Sequence, residues 1–231
     1  MPLVSYEQRD NVAIVRMDDG KANALSYDMM DALDAALSRA EKEAAAVVLT
    51  GRPGKFCAGF DLKEMMAGPD QARALVTRGA DALMRLYTLP LPLIVAATGH
   101  ALAGGALVVL TGDVRLAAKG LYRIGLNEVQ IGMPVPVLAM ELARDRLDPK
   151  HLIGSTLFAT VVDPEAAVTA GWVDEAVDED ALVDRALTHA TKLAALPRDA
   201  FSKTKVILRE RTVKYVRDML ETDMKRLTVK I

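Results

Sequence analysis

The apolar pattern of this chain switches repeatedly between a period of two and a period of 3.6 residues. Val12 to Met17 is rich in branched residues and reads as a strand, with Ser5 to Gln8 pairing beside it. Asp18-Asp19-Gly20 marks a turn. Ser26 is placed to cap a helix that carries Met29, Met30, Leu33, Leu37 and Ala40 on one face, the methionines as core filler. Ala46 to Thr50 is a second strand, and Gly51, Pro53 and Gly54 break it into a loop. Asp61 caps a short helix through Met66, and Asp70 starts a longer one to Tyr87, ended by Pro90 and Pro92. Leu93 to Ala97 is a buried strand, followed by a glycine turn and an apolar helix from Gly104 to Thr111. Asp113 to Ala117 and Leu121 to Ile124 read as strands, and Pro134 and Pro136 precede a helix to Arg146. Pro149 and Pro164 sit near further helix starts. Val173 to Val177 is the last strand and Ala181 to Ala194 a helix. Pro197 opens a final helical region with a stripe of Val206, Val213, Val216, Leu220, Met224 and Leu227. That stripe suits packing on the chain's own body and on a neighbouring subunit equally well. Strands alternating with helices indicate an α/β fold.

Composition narrows the functional classes. A chain of 231 residues, 51% of them hydrophobic, can bury a core without a disulfide or metal staple. Lys plus Arg is 29 and Asp plus Glu is 31, a balance unlike that of a general nucleic-acid binder. Aromatic residues make up 4%, too few for base-stacking platforms. The single cysteine, Cys57, excludes an internal disulfide and suits a reducing compartment. His100, His151 and His189 are scattered without metal-ligand spacing, so no metal site is expected. Leu89 to Ala97 and Ala101 to Leu110 are the longest apolar stretches, each too short to cross a bilayer. Met1 to Asp10 lacks the basic start and apolar core of a signal peptide, so a cytoplasmic protein is expected.

Three glycine turns invite chemistry. Gly51-Arg52-Pro53-Gly54-Lys55-Phe56 has the wrong spacing for a phosphate loop, and Phe56 stands where a hydroxyl is needed. Phe56 to Leu62 and Gly99 to Gly105 each follow a strand and lead into a helix. Backbone N–H groups at a helix start lack intrahelical partners and can hold an anion or a developing oxyanion. One such turn is an ordinary connection. Two of them together suit a two-donor oxyanion hole.

In family order, these segments resemble the crotonase superfamily, which contains enoyl-CoA hydratases and isomerases. Phe56-Cys57-Ala58-Gly59-Phe60-Asp61-Leu62-Lys63-Glu64-Met65 resembles its F-x-A-G-x-D-L-x-E-M signature. Lys21-Ala22-Asn23-Ala24-Leu25-Ser26 resembles its N-A-L-[NS] segment, Gly99 to Gly105 its second oxyanion loop, and Asp113-Val114-Arg115 the strand after it. The resemblance implies a crotonase-like ββα spiral over residues 1–195 and a helical segment, 196–231, that assembles a homotrimer or a dimer of trimers. It implies an acyl-CoA thioester substrate, with coenzyme A carried by the substrate and no separate cofactor. The N–H groups of Ala58 and Gly104 would hold the thioester oxygen. Lys21, Ala22, Ala24 and Ala58, Gly59, Phe60, Asp61 and Leu62 would line the coenzyme A groove. Cys57 has no role by this precedent.

Family hydratases flank the site with two glutamates. The first would fall three residues after Gly104, where this chain has Leu107. The second matches Glu128 in Ile124-Gly125-Leu126-Asn127-Glu128-Val129-Gln130-Ile131-Gly132, a stretch most like that of Δ3,Δ2-enoyl-CoA isomerases. A lone carboxylate suits isomerisation in fatty-acid β-oxidation, because one base can carry a proton from C2 to C4. Leu126, Val129, Ile131 and Met133 would raise its pKa if they enclose it. Asp61 is expected as a helix cap and Glu64 at the surface. Lys203 and Lys205 suit either a solvated face or contact with coenzyme A phosphates. The alternatives are a hydratase, a non-catalytic acyl-CoA binder, and a thioester hydrolase or decarboxylase.

Overall fold

A computed structural model describes residues 2–226. The chain opens with an antiparallel hairpin, β1 (Val4–Arg9) and β2 (Val12–Met17), followed by helix α1 (Tyr27–Glu43). Ser26 caps α1, its Oγ accepting from Met29 N at 3.2 Å.

From there the chain repeats one unit: a strand in a large sheet, a short strand in a small sheet, then helix. The first unit is β3 (Ala46–Thr50), β4 (Gly54–Cys57), α2 (Leu62–Met65) and α3 (Pro69–Tyr87). The second is β5 (Leu93–Ala97), β6 (Gly99–Leu102) and α4 (Gly104–Thr111). The third is β7 (Val114–Ala118), β8 (Ile124–Gly125) and α5 (Val137–Arg146). Then come α6 (Leu152–Thr156), α7 (Pro164–Ala170), β9 (Glu175–Val177), α8 (Leu182–Ala194) and α9 (Arg198–Arg226). The large sheet has six strands in the order β1-β2-β3-β5-β7-β9, and the small one three, β4-β6-β8. All pairings except β1–β2 are parallel. This is the ββα spiral the resemblance implies.

The central strands of the large sheet are buried on both faces, so they are continuous apolar runs rather than alternating ones. Val12, Ile14, Val48, Ile94 and Leu116 pack beneath Leu182, Ala186 and Ala190 of α8. Val15, Val47, Leu49 and Val95 face the main core of α1, α3 and α4.

Two expected turns are strands. Gly54–Cys57 and Gly99–Leu102 form β4 and β6, and a Cβ on Gly99 would lie 2.1 Å from the Gly54 carbonyl carbon. Their glycines let the two backbones close up. The expected Leu121–Ile124 strand shrinks to Ile124–Gly125, with Leu121 98% exposed. The last strand likewise begins at Glu175, two residues later than expected.

The α9 stripe rests on the chain's own body. Val216 and Met224 are buried, and Val213 and Leu220 lean on the core, whereas Val206 is half exposed. Leu227 lies outside the described residues. Lys205 is buried, so it forms neither a solvated face nor a reach toward coenzyme A. Its Nζ lies 2.7 Å from Asp113 Oδ2, and Arg209 Nη2 lies 2.9 Å from Asp113 Oδ1. Burial pulls the Lys205 ammonium down to about 8 despite that partner. Lys203 is solvated and pairs with Asp199.

Candidate active site

The three segments singled out by motif all leave the small sheet at the carboxyl ends of its strands. Ala58 to Asp61 follows β4, Ala103-Gly104 follows β6, and Asn127-Glu128 follows β8. Because β4, β6 and β8 are adjacent and parallel, the sheet brings these segments to one edge. Parallel sheets place ligand sites at that edge. A cleft of about 700 Å³ between α5 and α9 is lined by charged side chains such as Arg144, Asp145 and Lys214 and touches none of them.

Lys21 to Leu25 runs beside the segment after β4. Ala58 N donates to Ala22 O at 3.0 Å and Leu25 N to Gly59 O at 2.8 Å. Asn23, which the sequence reading gave no role, clamps this side. Its Nδ2 is within 3.0–3.1 Å of the carbonyls of Met17, Lys55 and Phe56, and its own φ is +54°. A lone amide between two alanines was the available signal. Lys21 is exposed, and Ala22 and Ala24 are half-buried beside exposed Ala58.

These bonds correct one assignment. The Ala58 N–H is already given to Ala22, so it is not a free oxyanion donor. A regular strand would turn the N–H groups of residues 58 and 60 to the same side. Gly59, at φ +95°, breaks that phase. Gly59 O and Asp61 N both bond Leu25, the latter at 3.4 Å, which leaves the Phe60 N–H on the side of β6. A Cβ on Gly59 would lie 3.2 Å from Gly104 N, so the two free donors arise at a point of close backbone approach. Gly104 is the first residue of α4. The first intrahelical bond there runs from Leu107 N to Ala103 O at 3.1 Å, leaving the Gly104 N–H open. Ala103 before it sits at φ +49°, a strained conformation for alanine.

Glu128 is 7% exposed and its Oε2 is buried with no hydrogen-bond partner among the described residues. Burial raises its pKa above the ordinary carboxylate range, partly offset by the N–H groups of Glu128 itself and Asn127. Leu126 beside it is fully buried, whereas Val129 and Ile131 are exposed and do not enclose it. Leu107, where a second acid would stand, is 3% exposed.

Two further acids lie near this edge, Asp61 and Glu64. Asp61 caps α2, its Oδ1 accepting from Glu64 N at 3.1 Å. Glu64 is half-buried rather than at the surface, and its Oε2 is buried with no hydrogen-bond partner among the described residues. Burial, then Asp61 and Asp28, raise its pKa, and the Tyr27 N–H at the start of α1 opposes the rise. Cys57 is fully buried and its thiol is pushed up to about 12, which excludes a thiolate nucleophile at neutral pH. His100 accepts from Arg123 N at 3.1 Å and meets the Tyr122 ring edge-on. It sits within β6 rather than at the sheet's carboxyl edge.

The fold and the edge described above define a class. A model of the enoyl-CoA hydratase/isomerase family matches residues 7–229, and the chain belongs to that family. Its sequence is 31% identical to human enoyl-CoA delta isomerase 1, mitochondrial, over 215 residues, 91% of this chain and 71% of that protein. It is 33% identical to a probable enoyl-CoA hydratase of Rhodobacter capsulatus over 210 residues, 87% of this chain and 79% of that one. Among solved structures, an enoyl-CoA hydratase/isomerase family protein from Pseudomonas syringae superposes with a TM-score of 0.95 at 40% identity, covering 98% of each chain.

Proposed function

We propose that this chain shifts the double bond of a 3-enoyl-CoA thioester to the 2-position, with Glu128 as the single proton carrier. The observation that carries the reading is the buried, unpartnered Glu128 carboxylate oxygen together with an apolar Leu107 at the second acid position. In this mechanism the Glu128 carboxylate removes a proton from C2. The electron pair moves into the thioester carbonyl, and the N–H groups of Phe60 and Gly104 stabilise the enolate oxygen. The enolate then collapses through C2–C3 while C4 takes the proton from the Glu128 carboxylic acid. Nothing is added or lost. A raised carboxyl pKa suits a group that must both take and return a proton. With leucine in place of the second acid, no side chain there activates water, which disfavours hydration.

Lys21, Ala22, Ala24 and Ala58 to Leu62 are read as the coenzyme A groove. The pathway is read as the entry of unsaturated fatty-acyl thioesters into β-oxidation. The exposed Ile207 and Leu208 on α9, 70% and 75% exposed, are read as part of the surface on which copies form a trimer.

The test is to supply 3-hexenoyl-CoA and crotonyl-CoA separately. The reading expects conjugated 2-hexenoyl-CoA to appear from the first and the second to persist. Fast hydration of crotonyl-CoA with no shift of 3-hexenoyl-CoA would overturn it in favour of a hydratase.

A further inference from the structure

Gly79 lies near the middle of α3, buried, with no positive φ to require glycine. A mid-helix glycine costs about 0.5–1 kcal/mol relative to alanine. The surroundings supply a reason for it. A Cβ on Gly79 would lie 2.1 Å from Phe60 Cε1 and 2.4 Å from Cζ, far inside contact distance. The Phe60 ring therefore sits in a notch cut into α3. Its opposite edge faces the start of α4, where a Cβ on Gly104 would lie 3.5 Å from Phe60 Cε2 and 3.2 Å from Leu25 Cδ1. The ring thus lies between two helices at two glycines. The same residue supplies the backbone N–H that Gly59 turns toward β6.

We infer that the Gly79 notch is a positioning device for the oxyanion donor: it seats the Phe60 ring and so fixes where the Phe60 N–H points. The inference rests on the Phe60–Gly104 oxyanion reading above. It assigns a role in that site to a residue that touches no substrate. A Phe ring has only two side-chain torsions, and Gly79 and Gly104 lie against opposite edges of this one. On this inference a methyl group at residue 79 displaces the ring and carries its backbone with it.

The test uses Gly79→Ala, Phe60→Leu, Phe60→Ala and the double variant Gly79→Ala/Phe60→Leu in the full-length protein. The first readout is the absorbance of bound 4-dimethylaminocinnamoyl-CoA, which shifts to the red when its thioester carbonyl accepts hydrogen bonds. The second is kcat and KM on 3-hexenoyl-CoA. Gly79→Ala is expected to lose most of the red shift and about 30-fold in kcat, with KM within about twofold, because one preorganised donor is displaced. Phe60→Leu alone is expected to cost a few-fold, yet in the Gly79→Ala background the same change should restore about tenfold, since the shorter side chain clears the methyl. A merely structural glycine would lower stability without this reversal of sign. A wild-type red shift and kcat in Gly79→Ala, or no recovery in the double variant, would overturn the inference. If Gly79→Ala does not fold, Phe60→Ala decides: an unchanged red shift there overturns it, and a lost one supports it. A wild-type protein that red-shifts the probe without isomerising 3-hexenoyl-CoA sinks the isomerase reading, and the probe still judges the notch.

Discussion

At the scale of single residues, the role proposed for Glu128 ties acidity, stability and activity together. Its pKa is raised in the folded chain, so burial of the charged form destabilises the fold at neutral pH. The sign follows from proton counting. Below the ordinary glutamate pKa both states hold the proton and the penalty vanishes; it grows as pH rises through the folded pKa. Glu128→Gln is therefore expected to raise the melting temperature at pH 7, and this gain should fade below about pH 4, where glutamate is protonated in either state. The same variant should lose about 10³-fold in isomerisation rate, the scale of a positioned general base. Equal stability of the two proteins at pH 7 would show Glu128 to be solvated after all. Leu107→Glu would place a second acid one turn into α4 and should create measurable hydration of crotonyl-CoA. Its cost would be about 2–4 kcal/mol of stability, because the site is buried and apolar. A denaturant melt and a crotonyl-CoA assay check both halves. Glu128 was legible in the sequence because a nine-residue motif surrounds it. The change of candidate donor from Ala58 to Phe60 was hidden, since it depends on one left-handed φ at Gly59.

Among secondary elements, α9 is the one whose role pattern alone could not decide. Its apolar stripe fitted two destinations, and buried ion pairs settle it. Asp113 sits between Lys205 and Arg209, while Arg209 also bonds the carbonyls of Tyr87 and Thr111. Thr212 and Tyr87 share Asp145 Oδ2, each at 2.6 Å. Asp113→Ala would leave two cations buried with one carboxylate removed, and should destabilise the protein by about 3–5 kcal/mol. Chemical denaturation measures this directly. A loss under about 1 kcal/mol would mean that water already screens the pair, as at a surface bridge. Neither destination that the sequence offered Lys205, a solvated face or coenzyme A phosphates, is the observed one, because helical spacing gives a face, not its neighbours. The strands β4 and β6 were hidden for a related reason. Gly54 and Gly99 read as turn formers, yet they serve close pairing between strands.

For the whole molecule, the alternation of branched runs and helical stripes made an α/β fold legible, whereas the spiral itself was implied only by the family resemblance, because the short strands β4 and β6 read as turns. Fold and chemistry share the order of the spiral, since each turn delivers one loop to the same edge of the small sheet. Assembly is a different matter, as a single chain carries no record of its neighbours beyond exposed apolar surface. The outward face of α9 carries Ile207, Leu208 and Tyr215, exposed by 70%, 75% and 45%. Lys205 and Arg209 on the same helix are anchored inward, so these side chains cannot turn back onto the core without breaking the Asp113 bridge. If copies pack through this face, a charge there must be desolvated on assembly and opposes it. If the proposed trimer forms through this face, Leu208→Asp should therefore lower the sedimentation coefficient of the protein toward that of a monomer. Far-ultraviolet circular dichroism should remain unchanged, because Leu208 contributes little to the chain's own core. A variant that still sediments as a trimer would move the interface to another exposed apolar surface, with Leu157 and Phe158 beyond α6 next in line at 64% and 68% exposure.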